Sequence, residues 1–289
     1  MKEDAISILE TSIGFLSADA REGLLFLSLI GDKVALIHLS ELLKSTESID
    51  ELVQLPFITQ IDSHLIEIEH KINKPLLQKF KWSEKVKASG TLAHYFQNKP
   101  FSPEKLGDLW LLAGNKEKAK SAFLLSLHQY KNNQEYPLIQ RAGEKLLKMG
   151  LLSQEEEIEI LHSLLVGYEC CGELPQVIHT RQKLMEYPMV KEQKNEFASL
   201  LRALAIDYSK QENWSQYKQL RMEAAATFRE NKNPTESAGE FIALALKAID
   251  ELNLNKGYEF SEEALKDAQK AGLVELICRS KAIKSYVLA

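Results

Sequence analysis

The chain has 289 residues, is 45% apolar and 27% charged, and carries a formal net charge of −5 with a mean hydropathy of −0.24. No apolar run reaches about 18 residues, so no membrane-spanning helix and no membrane partner are expected. With 13 Gly and 8 Pro the chain is poor in turn residues, which predicts long uninterrupted helices.

Ser17-Ala18-Asp19-Ala20-Arg21-Glu22 reads as an N-cap with an acid in the first turn, followed by the apolar run 23–30. A second helix is predicted over Asp32 to Leu43 and a short third over Thr46 to Leu55, ended by Pro56. Phe57 to Ile61 and Leu65 to Glu69 flank the turn triplet Asp62-Ser63-His64, and the second arm alternates apolar and acidic residues. That is a β-hairpin pattern. Ile66-Glu67-Ile68-Glu69-His70-Lys71 then opens a long helical stretch predicted to run to Gln97.

Gly107 and Ala119 flank the turn Gly114-Asn115, with Trp110 and Phe123 beside them. Small residues at those positions let two antiparallel helices approach closely while the aromatic rings fill the flanks. Further helical segments begin near Ser153, Lys191, Pro234 and Gly272. A period of roughly 40 residues marks stacked helical hairpins. Pro175 and Pro234 stand where a helix begins, since its first turn does not need their N–H. In one echo Tyr217 replaces the expected small residue, which predicts splayed or offset helices.

Charge is distributed in blocks. Residues 1–70 hold 4 basic and 13 acidic side chains, and residues 71–150 hold 15 and 6. The expectation is that these blocks face one another inside the fold. The helix over Thr46 to Leu55 has three acids and no base, and nucleic acid is not expected to bind through this chain.

No catalytic constellation emerges. The pairs Glu67/His70 and Glu159/His162 lack the partners of a carboxylate-bridged metal site. Cys170-Cys171 is no C-x-x-C and reads as packing at a helix end; with Cys278 it suits a reducing compartment. Met1-Lys2-Glu3-Asp4 carries acids where a secretory signal carries cations, so the cytoplasm is the expected location. No cofactor or metal is expected, and no enzyme in this chain alone. The recurring aromatics, Trp82 and Trp110 among them, read chiefly as inter-helix packing.

The unit from Leu106 to Ser126 resembles the tetratricopeptide repeat (TPR), and the likeness extends over residues 103–289. Leu16-Ser17-Ala18-Asp19-Ala20-Arg21-Glu22-Gly23-Leu24 resembles the entry to the winged-helix part of STAND-class signal-transduction ATPases, whose winged helix is likewise followed by TPR-like repeats. The resemblance implies an all-α fold: a degenerate winged-helix subdomain with a small β-hairpin at 1–70, a connecting helical segment at 71–102, and a right-handed superhelix of TPR-like hairpins at 103–289. It implies a regulatory scaffold that senses a protein, peptide or small inducer for a larger ATPase or transcription regulator. No G-x-x-x-x-G-K-[ST] loop is present, and the last helix has no hairpin partner, so a piece of a longer protein is expected. In such stacks the first helices of the hairpins line the concave face, making Arg181, Arg202, Tyr208 and Lys210 the candidate groove residues. The alternative is a free-standing TPR adaptor. The Lys71–Lys99 stretch keeps open an acidic or nucleic-acid partner.

Overall fold

A computed structural model describes residues 11–31 and 33–288, so the expected helix start at Asp32 lies outside the described residues. The chain forms two compact units, Met1–Ser153 and Gln154–Ala289. Among the described residues its elements are helical apart from one three-stranded sheet.

In the first unit, helix α1 (Ala18–Ile30) is capped by Ser17, whose Oγ accepts from the Ala20 N–H at 3.2 Å. It buries Leu24, Phe26 and Leu27 at 1% exposure or less, each stabilising the fold by about 1.5–3 kcal/mol. Strand β1 (Val34–Ala35) precedes α2 (Leu36–Leu43) and α3 (Glu47–Val53). The hairpin is present as β2 (Ile58–Gln60) and β3 (Leu65–Ile68), with Asp62 Oδ1 accepting from the N–H groups of His64 and Leu65.

The second helix begins at Leu36 because Val34 and Ala35 pair antiparallel with Ile66 and Leu65. This makes β3 the central strand of the order β1-β3-β2 and buries Ile66 completely. The pairing joins residues far apart in the chain, which local periodicity does not register.

The long helical stretch expected to run to Gln97 is two helices, α4 (His70–Gln78) and α5 (Trp82–Phe96). Pro75 withdraws a donor inside α4. Phe80 then turns inward, 4% exposed, with the Arg21 guanidinium 5.5 Å from its ring centroid. Burying that ring outweighs continuing the helix.

Helices α6 (Pro103–Leu112) and α7 (Lys116–Asn133) form the first hairpin, followed by α8 (Tyr136–Met149). A Cβ placed on Gly107 would sit 2.7 Å from the Phe123 ring, so the expected close approach is real and depends on glycine. The acidic and basic blocks meet locally. Lys99 pairs with Glu41 of α2, while Arg21 and Glu84, 3.6 Å apart, cross with the signs reversed.

The second unit contains α9 (Gln154–Cys171), α10 (Leu174–Glu186), the short α11 (Pro188–Glu192), α12 (Lys194–Lys210), α13 (Trp214–Glu230), α14 (Pro234–Asp250), α15 (Leu254–Ala271) and α16 (Val274–Leu288). The helices α12 to α15 have 17 or 18 residues, as a period near 40 requires. The turns between them repeat one device. Glu212, Lys232 and Leu252 have φ near +57, and each is followed by an asparagine. The side chains of Asn213, Asn233 and Asn253 accept from the N–H three residues on. Tyr217 is 8% exposed and packs with Leu201, Ala205 and Phe228 in the core between α12 and α13. The fold is all-α and built of TPR-like helical hairpins.

Candidate functional site

Each junction between neighbouring hairpins of the second unit carries a buried acid held by arginine. On α12, Asp207 is 1% exposed; its Oδ2 accepts from Arg181 Nε of α10 at 2.7 Å, and its Oδ1 from Lys210 Nζ at 3.1 Å. On α14, Glu240 is 1% exposed and accepts from Arg202 Nε and, at 2.6 Å, from Arg221 Nη1. On α15, Asp267 accepts through Oδ2 from Arg229 Nε at 2.6 Å and Ser237 Oγ at 2.7 Å. Burying a carboxylate is costly unless it is paired and hydrogen-bonded, and arginine supplies such a partner to each of the three, although Asp267 Oδ1 accepts no hydrogen bond among the described residues.

All four sequence-derived groove candidates lie in or beside this frame. Arg181 and Lys210 converge on Asp207, and Arg181 also reaches Glu169. Tyr208 Oη accepts from Gln182 Nε2 at 3.0 Å. Arg202 is set apart from these three, pairing with Glu236 and Glu240 and lying 4.9 Å over the Phe228 ring. Their polar ends are engaged by the protein itself.

A concavity of about 820 Å³ lies across α13, α14 and α15. Its floor is Phe241, Leu244 and Ala248 of α14; Met222 of α13, half-exposed at 51%, forms one wall and Phe260 of α15 the other. Phe241 and Phe260 stack at 6.3 Å. The rim is charged but internally paired, Lys218 with Glu251 and Lys266 with Glu263. Glu263 also takes Arg229, whose guanidinium lies 4.4 Å from the Phe241 ring centroid. The groove and the Arg229–Asp267 clamp therefore share side chains. Residues from three helices meet here, so no local motif announces the groove; an acid inside an apolar stripe, as in Glu240-Phe241-Ile242, was the available signal for the clamps.

The first unit has its own buried acid. Glu104 of α6, 4% exposed, accepts from Arg141 Nε and Lys145 Nζ of α8 and from Tyr130 Oη of α7. Burial resists its ionisation, but hydrogen bonds from Arg141, Tyr130 and Lys145 hold its pKa at about 2, while burial and Glu104 push Tyr130 up to about 12. A second cluster joins α2 to α5: Tyr95 Oη donates to Glu41 Oε2 and lies 2.9 Å from His38 Nδ1. Burial and the Lys99 charge lower the pKa of His38, opposed by Glu41.

Cys170 and Cys171 are exposed at the end of α9, not packed, and Cys278 is exposed as well. A core reading for the pair fails because the end of α9 turns both positions to solvent. Glu67 lies in β3 and His70 opens α4, whereas His162 Nε2 lies 3.3 Å from Glu196 of α12. Among the described residues, no group of three or more His, Cys, Asp or Glu is placed to hold a metal ion.

No family model matches the chain, and no curated protein does. Three solved structures are similar at low identity. BtubC (BKLC) from P. vanneervenii is 13% identical, covering 71% of this chain and 80% of that one, with a TM-score of 0.42. The STAND protein with a tetratricopeptide repeat sensor, PH0952 from Pyrococcus horikoshii, is 13% identical over 96% of this chain and 48% of that one, with a TM-score of 0.38. Aspartyl phosphate phosphatase F from Bacillus subtilis is 12% identical over 88% of this chain and 65% of that one, with a TM-score of 0.44. The chain thus spans about half of the STAND protein and just under two thirds of the phosphatase. At TM-scores below 0.5 these likenesses decide nothing, and the fold rests on this chain's own helices and turns.

Proposed function

We propose that this chain is a non-catalytic sensor scaffold that binds a protein or peptide segment across its helical hairpins, in the cytoplasm, as the regulatory part of a larger signal-transduction ATPase or transcription regulator. The observation that carries the reading is the groove over α13, α14 and α15: an apolar floor and walls, with a rim whose charges are already paired. Such a site takes an apolar anchor side chain and tolerates polar flanks. A ligand bridging α13 and α15 rests on Phe241 and beside Glu263, both tied to Arg229. Binding then favours one arrangement of the two hairpins over another, and that difference in affinity is what a sensor transmits. The order helix, strand, two helices and hairpin in residues 18–68 supports a degenerate winged helix as the element that receives the signal.

The test is a random peptide-display selection against the intact chain, with Met222→Glu as the comparison. Enriched peptides are expected to bind the intact chain and to lose at least about tenfold in affinity on Met222→Glu, which buries a charge beside apolar ligand atoms. Peptides that bind both proteins equally, or a selection without enrichment, overturn the groove. In a full-length protein carrying an ATPase, deleting α14 to α16 is expected to change nucleotide turnover. Unchanged turnover would leave the free-standing adaptor as the better reading.

A further inference from the structure

We propose that a patch formed by α4 and the start of α5 binds single-stranded nucleic acid, with Trp82 as a stacking platform and the surrounding lysines meeting phosphates. Residues 71–99 contain seven lysines and one acid, Glu84. Lys71 and Lys74 stand about one turn apart on α4, and Lys81 and Lys85 about one turn apart at the entry to α5, so each pair shares a face. Lys71, Lys74, Lys81 and Lys87 are exposed and Lys85 is half-buried.

None of these five lysines pairs with an acidic side chain among the described residues. In the second unit Lys183, Lys194, Lys218, Lys256 and Lys266, by contrast, each meet a glutamate. Glu84 does not neutralise the patch, because it accepts from the Lys81 backbone N–H at 2.6 Å and lies 3.6 Å from Arg21. Glu69 precedes α4, and Glu22 of α1 lines a cavity of about 290 Å³ with Arg21 and Lys87; neither forms an ion pair with the five lysines. Between the lysines stands Trp82, 67% exposed and in contact with no other aromatic ring among the described residues.

Cations in one stretch that form no ion pair among the described residues call for an anion that repeats along its length, and a flat exposed indole among them offers a face for a base. Single strands present both, since their phosphates recur at every nucleotide and their bases can leave the stack. A duplex keeps its base faces covered. An acidic peptide would satisfy the lysines and leave Trp82 without a role. A bilayer needs apolar neighbours to enter with the indole, yet Leu76 and Phe80 are buried at 0% and 4%. The acidic helix α3 plays no part, so the absence of a duplex-reading helix is unaffected.

The test is fluorescence anisotropy of labelled oligothymidylate with the whole chain over a range of salt. The expected log–log slope of affinity against salt is about −3, from roughly 0.7 per phosphate met. Trp82→Ala is expected to weaken binding about tenfold with the slope unchanged, and Trp82→Phe to retain most of it, because each keeps the charges and only the first removes the ring. The charge reversals Lys71→Glu with Lys74→Glu, and Lys81→Glu with Lys85→Glu, are each expected to flatten the slope by at least 1 to 1.5, or roughly 0.7 per lost contact. Circular dichroism melts confirm that these surface variants fold. No binding at low salt overturns the proposal, as does binding indifferent to Trp82. Equal or tighter binding to polyglutamate, to phosphatidylserine vesicles or to a duplex of the same length also overturns it, each naming the partner that replaces a single strand.

Discussion

Arg229 of α13 donates from Nε to the carboxylate of Asp267 on α15 at 2.6 Å, and Asp267 is fully buried. The pair joins the second helices of two successive hairpins, 38 positions apart. Arg202 and Glu240 join the first helices of the same two hairpins. The junction is thus held by two charge pairs in addition to apolar contact between helices.

A buried carboxylate that loses its cation is left charged in a poor solvent. Arg229→Met is therefore expected to destabilise the second unit by about 3 kcal/mol, and Asp267→Asn added to it to recover part of that loss. Hydrogen exchange of the α14 and α15 amides, with a double-mutant cycle, measures both. Equal protection in the single variant and the parent would mean that apolar packing alone holds the hairpins.

Glu104 predicts an acid-labile first unit. Its pKa falls from the ordinary 4.5 to about 2 because Arg141, Tyr130 and Lys145 outweigh the burial that opposes its charge. The unfolded chain thus takes up the proton before the folded one does. The stabilisation is complete above about pH 4.5, is lost as pH falls toward 2, and amounts to on the order of 3 kcal/mol. Urea midpoints of the first unit at pH 7, 4 and about 2.5 should fall more steeply for the parent than for Glu104→Gln.

Two glycines in helices separate propensity from packing. Alanine gains about 1 kcal/mol over glycine within a helix. At Gly107 the new Cβ meets the Phe123 ring at 2.7 Å, an overlap whose cost of about 1–3 kcal/mol exceeds that gain. At Gly257 the nearest atom is Cγ1 of Ile249 at 3.1 Å, a side-chain carbon that need give way by only a few tenths of an ångström. Thermal melts should show Gly107→Ala destabilised and Gly257→Ala near neutral, and Gly107→Ala with Phe123→Leu should recover stability.

Leu252 sits in the left-handed region at φ 58 with its side chain 86% exposed. It bears the steric cost of that conformation without the benefit of burial. Leu252→Gly is expected to raise stability by about 0.5–1 kcal/mol, since glycine adopts this backbone freely. A lower melting temperature would show that Leu252 makes contacts that outweigh its strain.

Much of the fold is legible locally because caps, turns and periodicity act over a few residues. Ser17, the alternation in β3 and the Gly107/Phe123 spacing each led to the element found. The repeated turn was legible too, since Asn213, Asn233 and Asn253 recur every 20 positions, but a search for whole hairpins at twice that interval passes over it. Strand β1 and the break at Phe80 were not legible, because each depends on a distant partner: Ile66 for one and Arg21 for the other.

For the candidate site the division is sharper. Arg181, Arg202, Tyr208 and Lys210 stood out as polar groups on helical faces, and whether such a group meets solvent or a carboxylate depends on another helix. The sequence alone determined the helical hairpins, their length and their turns, since these follow from backbone preferences over at most a few turns. Tertiary structure decided which charges are spent and which remain. Asp267 takes Arg229 from the preceding hairpin, whereas Lys71, Lys74 and Lys81 form no ion pair among the described residues. Charge pairing acts through space over a few ångströms, and only the packed chain brings residues 38 positions apart to that distance.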